Sequence, residues 1–265
     1  MKVVLVQLAS ATDSAANRHA MSGWVDRIHA SRAEPDLVVF PEGAMHDFGR
    51  PDHDLSAVAE PLDGPYVAAL IGHARRLGAT LVGHIFERSD TGLPYNTSVV
   101  ATRDGSIAVT YRKIHLYDSF GYAESDRLSA GGITPVVLDV AGVPVGLMTC
   151  YDLRFPEMGR ALVDAGAGLF VVPSAWVAGV LKEDHWRLLL RARAVENTVY
   201  VAAAAQCGRA YCGHSMLVDP MGVTVAAAAE AEALVVGDVD PDRLELARAT
   251  NPSLRNRRFG PQGGM

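Results

Sequence analysis

Short apolar segments recur along the chain and alternate, in its first third, with segments of helical character. Apolar runs of about four to eight residues are typical of strands that are buried on both faces. Such runs predict strands at residues 2–8, 37–40 and 80–86. Apolar side chains at helical spacing predict helices at 13–31 and 65–77. The chain therefore opens with the alternation of strands and helices that is typical of α/β proteins.

Hairpins replace this alternation in the middle of the chain. Predicted strands at 97–102 and 107–112 flank Arg103-Asp104-Gly105, and an Asp-Gly pair supplies the positive φ angles that such turns need. Strands at 136–140 and 143–149 are joined in a similar way by an Ala-Gly pair. Hairpins mixed with strand–helix–strand steps predict mixed sheets rather than purely parallel ones.

The last part of the chain continues both patterns. Its predicted elements are helices at 156–165, 185–197 and 241–249, strands at 169–172, 199–205 and 234–239, and a hairpin around 219–222. Neither a repeat nor a long linker divides the chain. We therefore expect one α/β sandwich domain over residues 1–265, in which two mixed sheets pack together between outer helices.

The composition indicates a protein that needs neither disulfides nor metals to fold. Apolar residues make up 49% of the 265 positions, which is enough for a sizeable core. The 24 basic and 30 acidic side chains give a net charge of −6, and the basic cluster Arg255, Arg257 and Arg258 is too short to indicate nucleic-acid binding. The charge-free stretch 165–181 falls short of the roughly 20 residues that span a bilayer. We expect neither nucleic acid nor a membrane as a partner.

Three cysteines, Cys150, Cys207 and Cys212, form an odd set in a chain that is too large to depend on disulfides. This usage predicts free thiols and a cytoplasmic location. The first apolar stretch is short and broken by Gln7, which does not favour a signal peptide. Cys207 and Cys212 lie near His214 in sequence, but no second ligand pair completes a zinc site, and core packing is the favoured interpretation. No metal or other cofactor is predicted.

Three chemically useful side chains follow predicted strands. Cys150 stands between a strand and a helix, where a thiol projects into a cleft and backbone N–H groups face developing negative charge. Glu42 follows strand 37–40, and Lys113 follows strand 107–112. Each has an ordinary alternative, because buried cysteines, helix-capping glutamates and solvated lysines are common. Together they supply a nucleophile, a base for its proton and a cation that holds a thiolate or an oxyanion.

The sequence around these side chains resembles the nitrilase superfamily of carbon–nitrogen hydrolases, which is defined by a Glu-Lys-Cys triad. The resemblance covers essentially the whole chain. Its stretches are Val39-Phe40-Pro41-Glu42, Tyr95-Asn96-Thr97-Ser98, Tyr111-Arg112-Lys113-Ile114-His115-Leu116, Cys150-Tyr151-Asp152-Leu153-Arg154-Phe155-Pro156-Glu157, His185-Trp186, Arg191-Ala192-Arg193-Ala194-Val195-Glu196-Asn197 and Leu254-Arg255-Asn256-Arg257-Arg258. The resemblance implies a four-layer α-β-β-α sandwich that forms homodimers or larger homo-oligomers.

Catalytic roles follow from the resemblance position by position. It implies that Cys150 is the nucleophile, Glu42 the general base and Lys113 the stabiliser of the oxyanion. Glu124 matches the second glutamate of the family, which orients the lysine and the substrate nitrogen. The amide of Tyr151 is implied as a second oxyanion donor. Attack on an amide would then release ammonia and leave a thioester, which water hydrolyses to the carboxylic acid.

The resemblance also predicts parts of the pocket and a substrate class. Trp176 matches a position that shapes the acyl pocket, and residues 115–122 are expected to form part of its rim. Tyr151-Asp152 departs from the Trp-Glu pair that follows the cysteine of true nitrilases, which favours the amidase branch that acts on small aliphatic and ω-amides. Arg154 either faces a substrate carboxylate or forms a structural ion pair.

Other functions share these residues. N-carbamoyl compounds and nitriles are hydrolysed by the same triad within the family, and both remain alternatives to a small-molecule amide. A non-catalytic binding or scaffolding subunit is an alternative of a different class. The presence of all four expected catalytic residues argues against it.

Overall fold

The computed structural model describes residues 1–259, which form two six-stranded sheets, a small hairpin and outer helices. The helices are α1 (Ser14–Ser31), α2 (Pro65–Leu77), α3 (Pro156–Asp164), α4 (Lys182–Asn197) and α5 (Pro241–Thr250). The strands are β1 (Lys2–Gln7), β2 (Leu37–Val39), β3 (Thr80–Glu87), β4 (Tyr95–Ala101), β5 (Ile107–Arg112), β6 (Asp118–Ser119), β7 (Tyr122–Ala123), β8 (Val137–Val140), β9 (Val143–Leu147), β10 (Leu169–Ser174), β11 (Tyr200–Ala205), β12 (Met216–Val218), β13 (Thr224–Ala227) and β14 (Ala233–Asp238). Residues 260–265 of the predicted domain lie outside the described residues.

Both large sheets are mixed, as the combination of hairpins and crossovers predicts. The first has the order β14-β1-β2-β3-β4-β5, and the second has the order β13-β12-β11-β10-β9-β8. In each sheet three strands are parallel, β1-β2-β3 and β9-β10-β11, and the strands that flank them, β14 and β4 or β12 and β8, are antiparallel to them. This arrangement places the carboxyl ends of the parallel strands together at one edge of each sheet.

The two sheets pack against each other and bury both faces of their central strands. In β1, Val3 and Leu5 point into the core shared with the second sheet, whereas Val4 and Val6 point toward α1 and α2. All four side chains are at most 1% exposed. Burial on both faces explains why these strands are continuous apolar runs rather than alternating ones.

Helices cover the outer face of each sheet. Helix α2 packs on β3 and on α1, while α3 and α4 pack on β9 and β11. Trp24 of α1 and Leu70 of α2 join the core of the first sheet, and Trp186 and Leu190 of α4 join the core of the second. The four layers are α-β-β-α, which confirms the expected fold class. Among residues 1–259, none of the helices has both the length and the apolar character that a bilayer crossing requires.

The predicted elements differ from the observed ones mainly at their ends. The strand predicted to reach Thr149 ends at Leu147, because the chain turns into a 3-10 helix, Cys150–Arg154, before α3 begins. Helix α4 starts at Lys182, three residues before the predicted start at His185. The β4–β5 and β8–β9 hairpins are confirmed, and the φ angle of +83° at Gly105 shows why the first of these turns has a glycine.

Candidate active site

The predicted site residues converge where the strand ends of the two sheets face each other. Glu42 follows β2 and Lys113 follows β5, while Cys150 follows β9 of the second sheet. Strand β5 runs parallel to β2 because β4 is antiparallel to both β3 and β5, so Glu42 and Lys113 emerge at the same edge. Glu124 reaches this edge from a 3-10 helix after the β6–β7 hairpin. Residues that are far apart in sequence thereby form one buried cluster.

Lys113 lies between two glutamates. Its Nζ donates to Glu42 Oε1 at 3.0 Å and to Glu124 Oε2 at 2.8 Å, and all three side chains are 1% exposed. The Ala175 N–H donates to Glu42 Oε2 at 2.7 Å, and the Tyr117 N–H donates to Glu124 Oε2 at 2.6 Å. The carboxylates are therefore fixed from both sides, and the lysine is positioned by two opposite charges.

Burial and charge oppose each other in this cluster. Burial alone raises the pKa of Glu42, but Lys113 and the surrounding hydrogen bonds outweigh it and lower the pKa below its ordinary value. Burial disfavours the charge on Lys113, yet Glu124 and Glu42 hold its pKa well above the usual range. For Glu124, burial and the charge of Glu42 outweigh Lys113, and its pKa is raised. At neutral pH Glu42 is thus an ionised base beside a charged lysine.

The thiol has the opposite electrostatic environment. Burial and the neighbouring Glu42 carboxylate raise the pKa of Cys150 well above its usual value, although Lys113 acts in the other direction. This direction favours a protonated thiol at rest, whose proton Glu42 is placed to accept, over a thiolate that Lys113 holds by charge. The lysine charge that would stabilise a thiolate is shared by two carboxylates.

Cys150 occupies a sharp turn of the backbone. Its φ angle is +48°, in the left-handed region that residues with a side chain rarely adopt. It begins the 3-10 helix, whose first hydrogen bond within the turn is donated by the Asp152 N–H to the Thr149 carbonyl. The N–H group of Tyr151 precedes that bond, so it has no acceptor within the turn and is available to an oxyanion.

Asp152 fixes this turn to the end of β5. Its fully buried carboxylate accepts hydrogen bonds from the Tyr111 hydroxyl at 2.6 Å, the Thr149 N–H at 2.8 Å, the His115 N–H at 3.1 Å and His115 Nδ1 at 2.7 Å. Since His115 lies two residues after Lys113, one carboxylate sets the distance between the nucleophile and the lysine. His115 is occupied by this contact and takes no place beside the thiol.

Replacing Asp152 with Asn tests this connection. The amide presents an NH₂ group to at least one of the donors, so we expect a loss of about 3 kcal/mol in the free energy of unfolding. Displacement of the turn that carries Cys150 should also lower kcat/KM for an amide by roughly 100-fold. Urea unfolding and ammonia release measure the two effects. The control is Asp139→Asn, an exposed aspartate of β8 beside the β8–β9 turn, and equal behaviour of the two variants would contradict the role of Asp152.

A cavity of about 390 Å³ opens onto the cluster. Its walls combine the catalytic side chains with aromatic and small residues: Glu42, Phe48, Gly49, Pro51, Lys113, Tyr117, Phe120, Tyr122, Glu124, Cys150, Ala175, Val177, Ala178, Lys182, Ala210 and Tyr211. The aromatic segment 115–122 thus contributes to the wall, as predicted. Trp176 and Tyr151 line only a narrow recess beside Cys150, with a volume of about 20 Å³. Val177 and Ala178, rather than Trp176, form the wall of the larger space.

Lys182 lines the cavity, and Arg154 lines the recess beside Cys150. Lys182 is 7% exposed, donates to the Tyr117 hydroxyl at 2.7 Å and lies 3.5 Å from the centre of the Phe120 ring. Arg154 stacks over Trp176 at 4.9 Å. Among residues 1–259, neither cation forms an ion pair with Asp or Glu. Burial and the nearby Arg154 lower the pKa of Lys182, as expected for a cation that lacks a counter-ion.

Several residues of this site carry no sequence signal that identified them. Lys182 precedes the helix predicted from His185, in residues that the pattern left unassigned, and Asn96 belongs to a motif that was noted without a role. The Cys207, Cys212 and His214 group contributes nothing here. In the part of the chain that the structure describes, no group of three or more His, Cys, Asp or Glu side chains is arranged to hold a metal ion.

Comparison with known proteins identifies the family. The carbon-nitrogen hydrolase family matches residues 2–249, which is nearly the whole chain. This chain belongs to the carbon-nitrogen hydrolase family. The hydrolase is 44% identical to the deaminated glutathione amidase of Escherichia coli O157:H7 over 237 residues, which are 88% of this chain and 89% of the relative. It is 35% identical to the deaminated glutathione amidase of Bos taurus, covering 99% of this chain and 84% of that protein.

Solved structures agree with this assignment. The hydrolase superposes on Saccharomyces cerevisiae Nit3, a member of branch 10 of the nitrilase superfamily, with a TM-score of 0.88, 34% identity and coverage of 98% and 97% of the two chains. It also matches a glutamate-to-glutamine mutant of an amidase from Nesterenkonia sp. AN1 with a TM-score of 0.81, 29% identity and coverage of 97% and 99%. In that amidase, acrylamide has undergone Michael addition at the active site cysteine. The predicted nitrilase superfamily and enzymatic function are confirmed.

Proposed function

We propose that this hydrolase cleaves the amide of a small linear substrate that carries a carboxylate, through a thioester on Cys150. The observation that carries the proposal is one cavity that holds both the Glu42, Lys113 and Cys150 cluster and Lys182, which has no ion-pair partner among residues 1–259. The named amidases among its relatives support amide chemistry. The active site cysteine of the Nesterenkonia amidase supports Cys150 as the nucleophile here.

Attack begins when Glu42 accepts the thiol proton. Oε1 of Glu42 accepts hydrogen bonds from Lys113 and from Asn96, whereas the hydrogen bond to Oε2 comes from the Ala175 amide. A lone pair on Oε2 is left for the proton. Sγ then bonds to the amide carbon, and the negative charge that moves onto the carbonyl oxygen is held by Lys113 Nζ and the Tyr151 N–H.

Collapse of the intermediate releases ammonia. Glu42 returns the proton to the amide nitrogen while the carbon–nitrogen bond breaks, and the acyl group stays on Cys150 as a thioester. Water, deprotonated by the same Glu42, attacks the thioester carbon, and the carbon–sulfur bond breaks. The products are the carboxylic acid and a restored thiol. Glu124 holds Lys113 through both steps at 2.8 Å.

The other end of the substrate is recognised by charge. Lys182 and Arg154 lie within or beside the cavity, and burial makes an unpaired cation costly. A substrate carboxylate would accept hydrogen bonds from Lys182 and relieve that cost. Recognition of a carboxylate by Lys182 favours monoamides of dicarboxylic acids over neutral aliphatic amides and nitriles. N-carbamoyl amino acids share the carboxylate, so they belong in the same comparison.

Lys182→Met tests the substrate class. With a dicarboxylic acid monoamide we expect the variant to lose about 2 kcal/mol of binding, which is roughly a 30-fold rise in KM. For a neutral amide of the same chain length KM should change by less than about twofold, because no ion pair is lost. Ammonia release from monoamides, neutral amides, N-carbamoyl amino acids and nitriles gives the full comparison.

The matched control is Lys2→Met, which removes a lysine from β1 outside the cavity. It should leave every KM unchanged. Equal loss for the charged and the neutral amide in Lys182→Met would contradict carboxylate recognition. A wild-type enzyme that prefers nitriles or releases no ammonia from any amide would overturn the proposed reaction itself.

We also propose that copies of this hydrolase associate through an apolar patch on α4 and the β12–β13 hairpin. Leu188, Val195, Val223 and Val225 are 60%, 43%, 58% and 45% exposed, and the two elements that carry them are joined where Arg191 of α4 donates to the Gly222 carbonyl. A patch of this kind is uncommon on monomers. Light scattering should give a dimer or larger assembly for the wild type and a smaller species for Val223→Glu. A monomeric wild type would contradict this assignment.

The cysteine chemistry fits a reducing compartment. All three cysteines are buried and free of disulfide bonds, and the nucleophile must remain a thiol for the reaction to begin. The cytoplasm satisfies this requirement, and we propose it as the location of the enzyme.

A further inference from the structure

His84 occupies an unusual place for a polar side chain. It lies within β3, a strand in which every residue is buried, and it is 0% exposed. The Gly43 N–H donates to its Nδ1 at 2.8 Å, and its Nε2 contacts Asn96 Oδ1. Gly43 directly follows Glu42, so Nδ1 of the imidazole contacts the backbone beside the proposed general base. Nε2, the other ring nitrogen, contacts the side chain of Asn96.

The hydrogen bonds permit only one arrangement of protons. Since a backbone N–H faces Nδ1, that nitrogen is an acceptor and the ring proton sits on Nε2, which donates to Asn96 Oδ1. Burial lowers the pKa of His84 to about 4, so the ring is neutral at neutral pH. The Gly43 N–H therefore fixes which ring nitrogen carries the proton, and this proton fixes the orientation of the Asn96 amide.

Asn96 then bridges the two glutamates. With Oδ1 held by His84, its Nδ2 donates to Glu42 Oε1 at 2.7 Å and to Glu124 Oε1 at 2.9 Å. Both hydrogens of the NH₂ group are used, and Asn96 is 0% exposed. The reverse orientation of the amide would place its oxygen against two carboxylates. The two carboxylates disfavour that orientation, and the His84 donor holds Oδ1 in place at the other end of the amide.

We infer that His84 is a positioning residue for the proposed reaction, acting through Asn96 to fix the orientation of the Glu42 and Glu124 carboxylates around Lys113. His84 does not line the cavity, so it contacts no substrate. His84 affects the orientation and the pKa of Glu42 rather than the binding of substrate. Without the Nε2 donor, Asn96 Oδ1 loses the contact that holds it, the Asn96 hydrogen bond that favours the charged form of Glu42 is weakened, and the pKa of Glu42 rises.

The test compares His84→Phe with His84→Gln. Phenylalanine fills the ring volume but donates nothing, and we expect kcat for an amide to fall by about 30- to 100-fold while KM changes less than about threefold. The acid limb of the kcat/KM profile should move to higher pH, because a base with a raised pKa is protonated earlier on acidification. Glutamine restores an N–H toward Asn96 and should recover about tenfold of kcat together with part of the pH shift.

A purely structural role would produce a different result. The control His46→Phe replaces another buried histidine, one whose ring contacts the Asp47 carbonyl rather than the catalytic cluster. It should lose stability without moving the acid limb. Titration of Cys150 with iodoacetamide counts the folded sites in each variant. A fall in activity of His84→Phe that only matches a fall in reactive thiols, with an unmoved acid limb, would overturn the positioning role, and so would wild-type kinetics.

This inference depends on the proposed hydrolysis, and the two fail in distinguishable ways. If the wild-type enzyme releases no ammonia from any amide, the proposed hydrolysis is contradicted before the variants are compared. If the wild type is active and His84→Phe keeps its kcat and pH profile, only the role of His84 is contradicted.

Discussion

Cys150→Ala should release ammonia from an amide at least about 10⁴-fold more slowly than the wild type. Without Sγ the covalent route is closed, and the oxyanion donors and binding contacts that remain supply only a small residual rate. Folding should be preserved, because Sγ faces the cavity and its removal leaves no sealed void. The measurement is a timed ammonia assay with enzyme at high concentration, together with mass spectrometry of the acylated wild-type protein.

Cys207→Ala is the matched control. Cys207 is a second buried cysteine, 4% exposed, and it does not line the cavity. Activity should stay within about twofold of the wild type, and iodoacetamide should still modify the protein at Cys150. If Cys150→Ala turns over faster than the expected residual rate, or if Cys207→Ala loses turnover, the nucleophile has been assigned to the wrong cysteine.

The second large effect is expected for Lys113→Met. Two carboxylates then share a buried site without a cation between them, which costs about 3–5 kcal/mol in the free energy of unfolding. Part of this cost is avoided when one glutamate takes up a proton, and Glu124, whose pKa is already raised, is the first to do so. The oxyanion loses its charged donor, so kcat should fall by about 10³-fold or more.

A double-mutant cycle separates the two consequences of losing Lys113. Adding Glu124→Gln removes the second charge, so Lys113→Met combined with Glu124→Gln should regain most of the lost stability while activity stays absent. Urea unfolding at neutral pH and ammonia release measure the two outcomes. If the double variant is no more stable than Lys113→Met, the ion cluster does not set the stability of this region. A kcat within tenfold of the wild type would exclude the oxyanion role.

The sequence predicted the parts of the fold that depend on local signals. Runs such as 2–8 and 80–86 are apolar because both faces of those strands are buried, and the turn at Gly105 needs a positive φ angle. Element ends were less predictable. Tertiary contacts decide them, as at Cys150, where the Asp152 carboxylate captures the backbone and converts the expected strand end into a 3-10 turn.

The site was predictable where a residue type is unusual for its place. Glu42 and Lys113 follow apolar strands, and their motif spacing pointed to one cluster. His84 and Lys182 were not predicted, because their proposed roles depend on partners distant in sequence. His84 acts through the Gly43 amide and Asn96, and Lys182 depends on its place in the cavity wall. A histidine inside a continuous apolar strand is itself a signal, since both ring nitrogens must find partners there.

The left-handed backbone at Cys150 means that this enzyme gives up stability to hold its nucleophile. A residue with a Cβ atom at φ +48° is strained by roughly 1–2 kcal/mol, and glycine is not. Cys150→Gly should therefore unfold at a higher urea concentration than Cys150→Ala, although both lack the thiol and neither turns over substrate. Selection for stability alone would favour glycine at this position. The proposed role of Cys150 as the nucleophile accounts for a cysteine there, and the surrounding contacts offset the strain.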